Sequence, residues 1–191
     1  MEVKTRGDGR VEWYAVVGIA LAPATGIGVM SSACRTAGER NASVEPDYVT
    51  ENARARQRLE LLVSSLEDEE LGYLLPNGWT ISQAFVHLAF WDFSSVSLLK
   101  RWQRGGFGTY SLDDESINEA ILGIAGAVQP QEAGRLAVRA AAVVDAEVTC
   151  VPPELRATIL AKGSERKIRR SLHRDEHLSK IEEAISRRRK S

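Results

Sequence analysis

The chain has 191 residues, enough for one domain of ordinary size with an appendage, and 43% of them are hydrophobic against 27% charged. That is globular composition, and a formal net charge of -1 excludes the strongly basic profile of a dedicated nucleic-acid binder. Cys34 and Cys150, far apart and without a Cys-x-x-Cys pair, exclude a disulfide framework.

From Trp13 to Cys34 no residue is charged, a run long enough to cross a bilayer. Pro23 and the glycines at 18, 26 and 28 interrupt it, and Glu2, Asp8 and Glu12 beside Lys4, Arg6 and Arg10 depart from the basic start of an export signal. The expectation is a cytoplasmic protein whose first 29 residues are an upstream extension ahead of Met30. The alternative is export, or tethering to a membrane through residues 13–33, because Ser31 and Ala33 form a small-x-small pattern before Cys34. Residues 35–46 read as a polar linker, so 1–46 form an extension and 47–191 the folded domain.

After Pro46 the periodicity is helical throughout. A first helix is expected from Asp47 to Leu66, with Leu59, Leu62, Val63 and Leu66 at core spacing. Thr80-Ile-Ser-Gln83 is a capping box opening a second helix. It carries Phe85, Leu88, Trp91, Val96, Leu99 and Trp102 until Gly105-Gly106 stops it. A glycine-rich excursion through Gly108 and Tyr110 leads to Asp113-Asp114-Glu115, which suit the positive end of a third helix bearing Ile117, Ile121 and Ile124. Pro130 opens a fourth, with Leu136, Val138, Val143 and Val144, and Pro152-Pro153 breaks the chain. A last helix is expected from about Ser164 to Arg188, with Ile168, Leu172, Ile181 and Ile185 as its stripe. The basic run Lys167, Arg169, Arg170, Arg174 and the tail Arg187 to Lys190 read as a solvated face, with no nucleic-acid partner. The fold class is therefore all-α, and long helices joined by loops make a bundle.

The chain has three histidines, and their placement points to chemistry. His173 and His177, four apart, share one helix face, while His87 sits in the apolar second helix. Two imidazoles at that spacing, with a third from a packed neighbour, can hold one divalent metal and leave coordination positions open to water or substrate. Zinc, nickel, iron and copper all accept such a donor set. Trp91 follows His87 by four residues and is either a pocket wall or a plain core aromatic. Arg170 and Arg166 precede His173 by three and seven; they can receive a substrate carboxylate, although surface arginine is the simpler account of each. Asp92, Asp114, Glu115 and Asn118 are candidates to accept hydrogen bonds from imidazole N–H groups, and Asn118 also to contact substrate. Cys150, in an apolar turn, reads as buried packing.

The segment Gly78-Trp79-Thr80-Ile81-Ser82-Gln83-Ala84-Phe85-Val86-His87-Leu88-Ala89-Phe90-Trp91-Asp92, with Arg170-Ser171-Leu172-His173-Arg174-Asp175-Glu176-His177-Leu178, resembles the DinB-like family, including the N-terminal domains of mycothiol-dependent maleylpyruvate isomerases. The resemblance covers about residues 47–186. It implies a four-helix bundle, with the N-terminal extension outside it, and one metal ion bound by His87, His173 and His177. It further implies a metal-dependent transferase or isomerase in which a low-molecular-weight thiol, of the mycothiol or bacillithiol kind, is the cosubstrate that attacks an electrophile. Two alternatives stand beside it. An open metal site can activate water, giving a hydrolase or a protein that protects against a reactive small molecule. A helical binding protein can carry the histidines as a structural or vestigial site. A homodimer is expected under each, since apolar helix faces commonly pair symmetrically.

Overall fold

A computed structural model describes residues 47–109 and 113–190; the extension, the linker and Tyr110 lie outside the described residues. Six α-helices account for most of that chain: α1 (Tyr48–Ser65), α2 (Ile81–Gly105), α3 (Asp114–Ala125), α4 (Pro130–Thr149), α5 (Pro153–Ala161) and α6 (Ser171–Arg188). Among the described residues there is no strand, only an isolated bridge between Leu74 and Thr80. No helix there is long and apolar enough to cross a membrane, and the apolar run from residue 13 falls outside it.

The helix starts follow from local chemistry. Asp47 Oδ1 accepts from Thr50 N–H at 3.0 Å and opens α1. The capping box of α2 is complete: Gln83 N–H donates to Thr80 Oγ1 at 3.2 Å, and Thr80 N–H donates back to Gln83 Oε1 at 2.8 Å. Asp113 caps α3, and prolines stand in the first turns of α4 and α5.

The most extensive packing is α2 along α4; α1 packs against both α4 and α6, and α3 against α2. What lets α2 and α4 lie close is a face of small residues, with Ala133, Ala137, Ala140 and Ala141 fully covered. Gly134 extends that face toward α1, where a Cβ would stand 2.8 Å from Val63 Cγ1. Two apolar clusters result. One gathers Leu59, Phe85, Leu88, Trp91, Ile121, Leu178 and Ile181; the other joins Tyr48, Leu99, Trp102, Val144, Ile159 and Ile168.

Several expectations need correction. Ile124 is 61% exposed, because α3 has α2 as its main neighbour and only the Ile121–Ala125 side is covered. Val143 points outward, since the buried face of α4 is the alanine face and runs through Val144 and Val148. The short helix α5 fills what was read as a simple break at Pro152-Pro153; its Ile159 is fully buried. The last helix begins at Ser171 rather than Ser164. Gly163 adopts a positive φ of 67°, a one-turn 3-10 helix spans Glu165–Lys167, and Asn52 then grips the chain. Its Nδ2 donates to Ile168 O at 2.8 Å, and its Oδ1 accepts from Ser171 N–H at 2.8 Å. With Ile168 O bonded to α1 the helical ladder starts only afterwards, and Leu178, not Leu172, becomes a fully buried anchor of α6.

Candidate metal centre

His87 lies two turns into α2, and His173 and His177 lie one turn apart in the first half of α6. Packing brings the three rings together, with one ligand nitrogen from each within 4.8 Å of the others. His87 Nε2 and His173 Nε2 are 3.0 Å apart. Two nitrogens each about 2.1 Å from one ion and at right angles to one another would be about 3 Å apart, so the spacing suits a shared metal. His87 is buried at 4% exposure, while His173 and His177 are half-buried and reach the opening.

Electrostatics favours ligand-competent imidazoles. Burial, and then the neighbouring His177, pushes His87 down to about 3. Burial and then Lys180 push His177 down to about 4. Burial, followed by the Arg170 guanidinium, holds His173 well below the ordinary histidine value. All three are therefore neutral at pH 7, with a lone pair on each ring. His87 Nδ1 is buried without a hydrogen-bond partner, so that ring lacks the outer acceptor that a ligating imidazole normally uses.

The rings form the floor of a cavity of about 350 Å³ lined also by Asn77, Trp79, Trp91, Asp114, Asn118, Arg166, Lys167, Arg170 and Glu176. The structure thus brings Trp91, Asn118, Arg166 and Arg170 to the same pocket as the histidines. Trp91 is both wall and core: its ring edge faces His87, and its Nε1 donates to Asn118 Oδ1 at 3.2 Å. Asn118 thus accepts from the indole while its side chain also neighbours the His87 ring. Arg166 is an exposed residue paired with Glu176 at 3.1 Å.

Arg170 is not a surface residue, and the basic run is not a uniformly solvated face. Arg170 and Arg174 are buried and share the Asp92 carboxylate: Arg170 Nε donates to Oδ1 at 2.7 Å, and Arg174 Nη2 to Oδ2 at 3.1 Å. Asp92 therefore receives guanidinium groups where an imidazole N–H was expected. Tail residues Arg187 and Arg189 pair with Glu183 and Glu70. Glu115 is exposed and outside the pocket, in the first turn of α3 that Asp113 caps, whereas Asp114 lines the wall. Cys150 is exposed in the turn after α4, not buried, because the apolar contact there is made by Val151.

Trp79 and Lys167 were missed as site residues. Trp79 reaches the pocket because Gly78, at φ 84°, turns the loop; Leu75 N–H donates to Trp79 O at 2.8 Å, and the indole stands 5.0 Å from the His87 ring. Its place beside Gly78, just ahead of the capping box, was the available signal. Lys167 lays its ammonium 5.2 Å over the Trp91 ring, and burial, then Arg170, lowers its pKa. Nothing in its sequence surroundings distinguished it from the other basic residues.

No protein-family model, curated protein or solved structure matches this chain.

Proposed function

We propose that the chain is a metal-dependent enzyme of the DinB-like type that activates a low-molecular-weight thiol, of the mycothiol or bacillithiol kind, for attack on a small electrophile. In this reading α1, α2, α4 and α6 are the four helices of the family bundle, with residues 1–46 outside it. The observation that carries it is the convergence of three neutral imidazoles at the floor of a pocket whose lining, among the described residues, contains no thiol or hydroxyl side chain. A nucleophile brought in from solution fits this lining, and Cys150 is not among the described residues of the pocket wall.

A divalent ion held by His87, His173 and His177 would supply Lewis acidity, lowering the pKa of a thiol or water at an open coordination position. The remaining work belongs to side chains. Trp79 and Trp91 supply flat apolar walls, and the Asn118 contact fixes the second of them. Arg166, paired with Glu176, and Lys167, near Asp114, give the wall charges of both signs.

Elemental analysis of the purified protein beside His173→Ala is the first test. One metal per chain in the parent and none in the variant supports the centre. Turnover of electrophiles that needs an added thiol then supports a transferase or isomerase. Turnover without thiol points to metal-activated water, hence a hydrolase. No metal in either protein leaves a helical binding protein.

A further inference from the structure

A second cavity, of about 270 Å³, lies where the loop after α2 meets the chain between α5 and α6. Gly106, at φ 80°, turns that loop, and the Phe107 ring rests 4.6 Å from the Trp102 ring, tilted by 32°. Trp102 Nε1 donates to Gly108 O at 3.0 Å, so the one donor of the indole is satisfied and the ring contributes apolar surface. The same cavity is lined by Thr109 and Ser164, which bear hydroxyls, and by Lys162 and Lys167, which bear ammonium groups. Its described lining holds no carboxylate, whereas the metal pocket carries charges of both signs. Lys167 is the described lining residue that the two cavities share. Burial, and then Arg170, lowers its pKa against the opposing pull of Asp114, so this ammonium gains from an anion beside it.

We propose that this cavity is a second binding site, for a small aromatic carboxylate whose flat ring lies against Trp102 and Phe107 and whose carboxylate meets Lys162 and Lys167. The Thr109 and Ser164 hydroxyls are further donors to the same carboxylate. A wholly apolar ligand would desolvate two ammonium groups without compensation, and a bare inorganic anion would leave the ring pair uncovered. An acid with a flat apolar body satisfies both halves of the lining. Because Lys167 also borders the metal pocket, the bound carboxylate stands where the two cavities adjoin. The site goes beyond the function proposed above and does not need the metal.

The test is calorimetric titration of the full-length protein, as purified, with naphthoate and with its uncharged amide. Naphthoate is expected to bind and the amide to bind more weakly. Lys162→Gln, a change at an exposed position, should weaken naphthoate about threefold, the worth of a solvent-exposed ion pair. Phe107→Ala should weaken it as well, with circular dichroism to confirm folding, and His173→Ala should leave it unchanged. No binding of naphthoate overturns the site, and so does equal affinity for the amide or an unchanged affinity in Lys162→Gln. Binding that is lost in His173→Ala and kept in Lys162→Gln also overturns it, since the carboxylate then sits on the metal centre. Naphthoate binding by a parent protein that elemental analysis finds free of metal removes the metal assignment and leaves this site standing.

Discussion

Asp92, 1% exposed in the middle of α2, receives the fully buried Arg174 of α6 at 3.1 Å, and this contact ties two helices that carry the histidines. Removing one member of a buried ion pair costs about 3–5 kcal/mol, because the partner charge stays desolvated. Asp92→Leu takes the carboxylate from Arg170 and leaves Arg174 with Asp145 alone, 2.8 Å away, and should fall in that range by urea denaturation. A loss below about 1 kcal/mol would mean that the network does not exist in solution.

Gly134 faces Val63 so closely that an added methyl meets Cγ1 at 2.8 Å. Gly134→Ala should therefore destabilise by about 1–3 kcal/mol through overpacking, despite alanine's better helix propensity. In a Val63→Ala background the same change should become neutral or stabilising by up to about 1 kcal/mol. A double-mutant cycle with no coupling would place α1 and α4 further apart than described.

The histidine shifts set a pH dependence for the metal-free protein. Each folded pKa lies below its unfolded value of about 6.5, so the unfolded state takes up protons first as pH falls. The contribution of neutral histidine is fully present above about pH 6.5. It declines as pH falls toward about 4, where His177 protonates in the native state, and toward about 3 for His87. Denaturation midpoints measured between pH 7 and 4 should show this slope, and His177→Ala should flatten it. Carboxylate pairs elsewhere in the fold would keep their contribution until lower pH, so an unchanged slope in the variant would assign the loss to them.

Metal should stabilise the folded chain by mass action. At a free concentration one hundred times Kd, the gain is about 2.7 kcal/mol. Thermal unfolding with added zinc should rise in the parent and stay level in His87→Ala and His177→Ala. A rise of equal size in both variants would show that zinc binds elsewhere.

Local elements were legible wherever a short-range rule governed them. Asp47, the Thr80–Gln83 box, Asp113 and Pro130 mark helix starts because capping depends on residues within one turn. The histidine spacing on α6 was readable for the same reason. The start of α6 was not, because Asn52, more than one hundred residues earlier, takes the Ile168 carbonyl. The core face of α4 was misread in part, since alanine and glycine carry little hydrophobic signal and declare their burial only when another helix lies against them.

The sequence by itself determined that this is a helical chain with two imidazoles on one face of its last helix and a third in its most apolar one, because periodicity and spacing are properties of a single helix. Tertiary structure decided that the three nitrogens meet, that Trp79 and Lys167 join them, and that Arg170 and Arg174 are interior residues. Those outcomes depend on how α1, α2, α4 and α6 pack. An arginine beside a helix stripe is a surface charge or a buried clamp according to whether a carboxylate such as Asp92 waits on the facing helix.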